Sequence, residues 1–322
     1  MVFRLPHKSP ILATVFDDDY LYAWVVHLFS AERSRTQDFE LVIALTSDGL
    51  SPDGQAFAAE VANWLDVQLR FIQVNLPDQL PVSDYFKPIV YARLCLADVL
   101  ESTFTWVDVD TLMLPGWDAI FDFPEPEGNY VLRAAKAFEA KNLEMGLQNQ
   151  ARLRAGESYF NAGVLTINPT EWRKRGFVQE WPKLIRNYDY YGFQRLDQCV
   201  LNYLIFGQSL EFGPEFNYTP HPGNELNGEP RIIHFTGSGK PWKVPGIERH
   251  RPPSSHGAWV KIYWSMEKQM MRAAKHHSRE LYARLRELRL RQRSHYDFSM
   301  KRLVRVVARA LGELRGSKFS LR

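Results

Sequence analysis

Cysteine is scarce in this chain: two residues, Cys95 and Cys199, among 322. Two cysteines build no disulfide framework, and these match no metal-ligand spacing, so reduced thiols in a cytosolic setting are expected. Long hydrophobic runs are missing too. No stretch approaches the roughly 18 to 20 apolar residues of a spanning helix, and Met1–Pro10 lacks the apolar core of a secretion signal. Internal repeats and low-complexity segments are also absent. What is present is an ordinary globular composition, 45% hydrophobic and 24% charged. The length suits one large domain, or one domain with an appendage.

Net charge is only +3, but the charge is divided unevenly. Residues 268–322 hold 16 Lys and Arg against 4 Asp and Glu, a net +12. Residues 1–267 keep 24 basic and 33 acidic residues, a net −9. An acidic body with a basic tail suggests an anionic partner for the tail. Met300, Leu303, Val307, Ala310 and Leu314 form a helical stripe there, with Arg302, Arg305 and Arg309 on another face. Such a helix suits an anionic membrane interface, or it packs on the body with a solvated basic face. The membrane surface is favoured. No nucleic-acid module accompanies the basic residues, so nucleic acid is not expected.

Strand-like and helical segments alternate through the first third. Ile11–Phe16, Phe39–Leu45 and Val67–Val74 read as strands; Tyr20–Arg33, Pro52–Leu65 and Asp84–Glu101 read as helices. Asn129–Ala135, Tyr159–Asn168 and Arg231–Phe235 read as further strands, and Trp172–Asn187 and Leu196–Phe206 as helices. The pattern predicts an α/β layered domain with a mostly parallel sheet. The Pro-rich stretch Pro245–Pro253 ends the body, giving a domain over 1–250 and a basic helical extension over 251–322.

The richest chemistry lies in Thr103–Leu112, where an apolar run ends at Asp108 and Asp110. Residues two apart on a strand share a face. Two adjacent carboxylates repel, and a hard divalent cation such as Mn²⁺ or Mg²⁺ relieves the repulsion. A solvated acidic turn is the plain alternative. Asp17-Asp18-Asp19-Tyr20 ends the first strand, where a carboxylate can accept from a base N–H and Tyr20 can stack; acidic helix starts also occur for dipole reasons alone. Arg93 can reach a diphosphate or simply pair with a neighbouring acid. Ala162 and Gly163 interrupt an apolar run beside Asn161, as at a ligand approach or a bulge, and Asn161 can donate and accept towards sugar hydroxyls. His234 ends a short strand before Gly237, Gly239 and Lys240. Its imidazole can complete a two-carboxylate metal site, or serve as a structural histidine.

Taken in order, these segments resemble glycosyltransferase family 8, the retaining group that includes glycogenin and the bacterial lipopolysaccharide hexosyltransferases. The matches are Asp17-Asp18-Asp19-Tyr20, Tyr91-Ala-Arg-Leu94, Asp108-Val-Asp110, Phe160-Asn-Ala-Gly-Val164, Asp197-Gln198 with Leu201-Asn202, and His234-Phe-Thr-Gly through Lys240-Pro-Trp242. The resemblance implies a GT-A fold, a Rossmann-like nucleotide half continuous with an acceptor half. It implies a UDP-hexose donor, a glycan or glycolipid acceptor, and manganese on Asp108, Asp110 and His234. Magnesium is the second choice.

By the same resemblance, Asp17 and Tyr20 hold the uracil, Arg93, Asp108 and Asn161 meet the donor, and Gly237 and Lys240 meet the diphosphate. Asp197 and Gln198 lie near the reacting carbon. The basic tail resembles those of the membrane-associated members, which implies a cytoplasmic enzyme peripheral to the inner face of the cytoplasmic membrane. One departure stands out. Members usually carry an Asp after the strand equivalent to Asn129–Ala135, whereas this chain reads Arg133-Ala-Ala-Lys136-Ala-Phe-Glu139. Two other functions share these features: a sugar nucleotidyltransferase, and a non-catalytic UDP-sugar-binding protein at the membrane surface. The first ordinarily needs a Gly-rich loop after the first strand, and Phe16–Asp19 has no glycine.

Overall fold

Apolar runs buried on both faces dictate the centre of the sheet. In the computed structural model β1 (Ile11–Thr14) and β4 (Phe104–Val107) are buried at every position. Beyond β1 lie β2 (Glu40–Leu45) and then β3 (Gln68–Gln73), whose alternating exposure marks an edge. The structure describes residues 9–81, 87–137, 159–193, 195–221, 224–237, 240–243 and 257–292. Two compact units divide the chain, Met1–Thr236 and Gly237–Arg322.

The first unit holds a seven-stranded sheet in the order β3-β2-β1-β4-β7-β6-β8, where β6 is Leu132–Lys136, β7 is Phe160–Ile167 and β8 is Ser209–Glu211. Strands β3, β2, β1 and β4 run parallel. At β4 the sense changes, because β7 pairs antiparallel to it, with Val107 opposite Val164. That pairing brings the start of β7 to the carboxyl ends of β1 and β4, where ligands bind in open α/β sheets. A small second sheet pairs β5 (Thr111–Met113) with β9 (Ile232–His234), and Thr111 faces His234.

Helices α1 (Leu21–Ser34), α2 (Pro52–Trp64) and α3 (Ala92–Val99) connect the parallel strands. Ser51 caps α2 by accepting from Gly54 N at 3.1 Å, with Pro52 in the first turn. The expected helix over 84–101 is shorter than its pattern: a 3₁₀ turn at Pro88–Tyr91 leads into α3, and its first residues lie outside those described. The single helix expected over 172–187 is two, α4 (Pro169–Lys174) and α5 (Phe177–Arg186). Gly176, at φ +72°, breaks them, a conformation that glycine adopts without strain. Short α6 (Tyr188–Tyr191) and then α7 (Leu196–Ile205) follow.

One core joins the sheet to α3, α4, α5 and α7 through Trp106, Trp172, Trp181 and Leu201. Within it Asp98 accepts from Trp172 Nε1 at 2.7 Å and Trp181 Nε1 at 3.4 Å.

In the second unit, α8 (Gly257–His277) precedes a further helix over 279–292. Arg289 grips buried Glu267 with two hydrogen bonds of 2.8 and 2.7 Å. No helix among the described residues is long and apolar enough to cross a membrane. The expected stripe Met300–Leu314 and the stretch Pro245–Pro253 lie outside the described residues.

Replacing Asp98 with Ala leaves two buried indole N–H groups unsatisfied. The expected loss is about 2–4 kcal/mol, read from the midpoint of urea denaturation.

Candidate active site

Asp108 and Asp110 do meet, though not by sharing a strand face as the spacing suggested. β4 ends at Val107, and Asp108-Val109-Asp110 forms the turn into β5. One backbone hydrogen bond to β7 persists past the strand end, from Asp108 N to Gly163 O at 2.9 Å. Thr111 Oγ1 then donates to Asp108 O at 2.9 Å and closes the turn. Behind it, buried His27 contacts Thr111 Oγ1 through Nδ1 at 2.9 Å. Burial holds the His27 pKa at about 4, below its usual 6.5, so the ring is neutral.

The third ligand candidate arrives through the small sheet. Phe235 N donates to Asp110 O at 2.9 Å, and this pairing sets His234 against the turn. His234 Nε2 lies 3.2 Å from Asp110 Oδ1 and 3.9 Å from Asp108 Oδ2. Its other nitrogen, Nδ1, lies 2.9 Å from Asn217 Oδ1. The ring fits only because residue 163 is glycine: a Cβ there would stand 2.0 Å from His234 Cε1. Gly163 therefore marks a close approach, and the group approaching is a side chain of this same protein.

Asp108 divides its two oxygens between tasks. Oδ1 accepts from Trp106 Nε1 at 2.7 Å and from Arg93 Nη2 at 2.9 Å, while Oδ2 is the oxygen nearer His234. Arg93 lies over the Trp106 ring, donates to Ala162 O and pairs through Nε with Asp197 Oδ2 at 3.1 Å. Burial works against the Arg93 charge, but Asp108 and Asp197 outweigh it, and the guanidinium pKa rises. Burial pushes the Asp197 carboxyl up to about 6, against the pull of Arg93 and with a further push from Asp108. Gln198 accepts from Ala162 N at 3.2 Å and donates to Tyr159 OH at 3.3 Å. Asn202 fixes α7 to β7 by bonding both the N–H and the C=O of Phe160 at 2.9 Å.

The three acids after β1 separate into different environments. Asp18 Oδ1 accepts from Ser51 N at the start of α2, at 3.2 Å. Lys87 Nζ pairs with Asp17 Oδ2 at 2.5 Å and Asp19 Oδ2 at 3.1 Å. The other oxygen of Asp17, Oδ1, is buried and accepts no hydrogen bond among the described residues. The Tyr20 phenol pKa is raised, first by burial and then by Asp110, Asp17, Asp19 and Asp108. Its ring thus sits in the field of both acidic clusters and remains a proton donor.

Asn161 is more committed than its expected role requires. Its Oδ1 accepts from Gly163 N at 2.8 Å and from Asn217 Nδ2 at 3.0 Å, leaving only the amide NH₂ for a ligand. Gly237 and Lys240 fall in the second unit, with Gly237 at φ +74°. Lys136, in the segment that departs from the expected pattern, pairs with Glu211 at 3.2 Å, and Glu139 lies outside the described residues. Lys87, Asn217 and Thr111 contact this site without having been flagged by the sequence. Only Lys87 carried a local sign, a cation just before the Pro88 turn.

Ligand atoms of Asp108, Asp110 and His234 all lie within 4.8 Å of one another. Two carboxylate oxygens and one imidazole nitrogen suit Mn²⁺, and a divalent charge offsets a repulsion of about 4 kcal/mol per close carboxylate pair at an effective dielectric near 20. The donor set fits such an ion.

Comparison with known proteins agrees. Residues 11–245 match the sequence profile of "Glycosyl transferase family 8". General stress protein A of Bacillus subtilis is 24% identical over 274 residues, covering 76% of this chain and 93% of that protein. A putative glycosyltransferase of Haemophilus influenzae is 24% identical over 258 residues, 73% of this chain and 74% of its own length. Among solved structures, galactosyltransferase LgtC with donor and acceptor sugar analogs superposes with a TM-score of 0.66 at 23% identity. That likeness covers 80% of this chain and 95% of LgtC.

Replacing Gly163 with Ala forces the His234 ring or β7 to move. Mn²⁺ affinity is expected to fall at least about tenfold, with a stability loss of about 1–3 kcal/mol from overpacking; metal titration and thermal melting read the two effects. His27 has a lowered folded pKa, so its contribution to stability is complete above its unfolded value of 6.5 and is lost as pH falls towards 4. The loss amounts to about 3 kcal/mol. A His27→Leu variant should show a flatter stability profile over that window in denaturant titrations.

Proposed function

The chain belongs to glycosyltransferase family 8, and from that premise we propose that it moves a hexose from UDP to a hydroxyl of a glycan or glycolipid, with retention at the anomeric carbon. It is a glycosyltransferase, and its seven-stranded mixed sheet flanked by helices is the GT-A fold. The observation that carries the reading is the convergence of Asp108, Asp110 and His234 at the end of β4. Tyr20 feels the charge of both this group and Asp17, and Asp17 presents a buried oxygen with no hydrogen-bond donor among the described residues. LgtC has been solved with donor and acceptor sugar analogs, which supports a two-substrate reaction here.

Asp108, Asp110 and His234 would hold the ion, Mn²⁺ in preference to Mg²⁺. When bound, it supplies the positive charge that stabilises a departing nucleoside diphosphate. Asp17 Oδ1 accepts the N–H of the uracil, and Tyr20 stacks against the base. Arg93 holds Asp197 and Asp108 on either side of itself, so the two carboxylates keep a fixed separation. Asp197, ionised at neutral pH, stabilises positive charge on an oxocarbenium-like sugar. Its ion pair with Arg93 and the engaged amide of Gln198 make both poor nucleophiles among the described residues. Attack by the acceptor hydroxyl from the face the diphosphate leaves is therefore favoured over double displacement.

The uneven charge, −9 over residues 1–267 and +12 over 268–322, supports a peripheral seat on an anionic cytoplasmic membrane surface. A lipopolysaccharide-type glycolipid acceptor would suit that position.

Incubation with a panel of UDP-hexoses and Mn²⁺, with and without glycan and lipid-linked acceptors, should release UDP in an acceptor-stimulated way. Substitution of Asp110 by Ala should reduce that release by at least about a thousandfold while the fold persists, consistent with loss of charge stabilisation at a leaving group. Undiminished turnover would remove Asp110 from the site. Formation of UTP from pyrophosphate would instead identify a nucleotidyltransferase. Deleting 293–322 should weaken co-sedimentation with phosphatidylserine vesicles, and unchanged sedimentation would refute the membrane seat.

A further inference from the structure

Two asparagines beside the metal candidates form a chain whose polarity is set at one end by the backbone. Gly163 N–H can only donate, and it donates to Asn161 Oδ1 at 2.8 Å. The same oxygen accepts from Asn217 Nδ2 at 3.0 Å. With its NH₂ turned that way, Asn217 presents its carbonyl oxygen to His234 Nδ1 at 2.9 Å. A carbonyl oxygen cannot donate, so Nδ1 must carry the proton. A neutral imidazole has one N–H, which leaves the lone pair on Nε2, the nitrogen 3.2 Å from Asp110 Oδ1.

We infer that Asn217 is a positioning residue that holds His234 as the Nδ1–H tautomer, with the Nε2 lone pair directed at the Asp108–Asp110 pair. Local folding supports that assignment. Asn217 ends a 3₁₀ turn, Pro214–Asn217, and the next residue is stitched to β9: Tyr218 N donates to Ile232 O at 2.9 Å, and His234 N donates to Tyr218 O at 2.8 Å. Asn217 and His234 are both buried, so neither can exchange its partner for water. A wrong tautomer would turn an N–H towards an incoming cation and leave Nδ1 facing a carbonyl oxygen, two repulsive contacts at once. Groups that orient a ligating histidine in this way typically govern metal affinity by 10- to 100-fold.

The effect on affinity rests on the metal reading above, but the tautomer does not, and the experiment separates them. In the full chain labelled with ¹⁵N-histidine and free of metal, the neutral His234 ring should carry its proton on Nδ1; a neutral ring protonated on Nε2 overturns the inference. Asn217→Leu, an apolar replacement of similar size, should weaken Mn²⁺ binding about 10- to 100-fold, read from the electron paramagnetic signal of free Mn²⁺ without donor. Asn217→Asp keeps an acceptor at Nδ1 and should retain most of the affinity. Equal loss in both variants, or none in Asn217→Leu, refutes the positioning role. If the wild type binds no Mn²⁺, the metal reading fails, and the ring's proton position alone decides for or against Asn217. If Asn217→Leu does not fold, the wild-type spectrum and the Asp variant decide.

Discussion

Gly163 is the point at which the functional end of this protein is tied together. Its C=O accepts from Asp108 N and ties the start of the Asp108–Asp110 turn to β7. Its N–H orients Asn161 and, through Asn217, the ring of His234. Its missing side chain is the space that ring occupies. One residue thus couples the antiparallel join of the sheet to the small sheet that delivers His234. The dependence is steric and directional together, because a backbone amide has a single donor and a fixed direction.

The second organising force is the management of negative charge. Asp17, Asp19, Asp108, Asp110 and Asp197 gather at one end of the sheet, and among the described residues Arg93 and Lys87 answer four of them. Arg93 takes Asp108 and Asp197 from a buried position, where its planar fork holds two acids in defined directions. Lys87 takes Asp17 and Asp19 from a more exposed one. Arg93 therefore acts as scaffold, whereas the Lys87 pairs are worth less individually and yield more easily to a ligand. Asp110 is set against His234 instead, and Asp17 keeps one buried oxygen with no hydrogen bond among the described residues.

Much of this was legible beforehand. Alternating apolar runs announced the layered α/β body, and Asp17, Arg93, Asp108 and His234 stood out as candidates because each lies at a strand end or in a short motif. Asp108, Asp110 and His234 do meet as expected, but for another reason, since a turn rather than a strand face brings Asp108 and Asp110 together. The break at Gly176 was hidden because the apolar stripe continues through it. Asn217 and Thr111 carried no local sign. Their roles come from pairing with β9 and from a buried histidine on α1, contacts between segments far apart in the chain.

The amino-acid order by itself determined which segments could be buried strands and where carboxylates would terminate them, because hydrophobic periodicity and turn chemistry are local properties. It also determined the family, through the succession of short motifs. Tertiary structure alone decided which oxygen of Asp108 faces the imidazole, which nitrogen of His234 faces Asp110, and why no side chain is tolerated at 163. Those outcomes depend on distances of a few ångströms between strands whose register no single segment encodes.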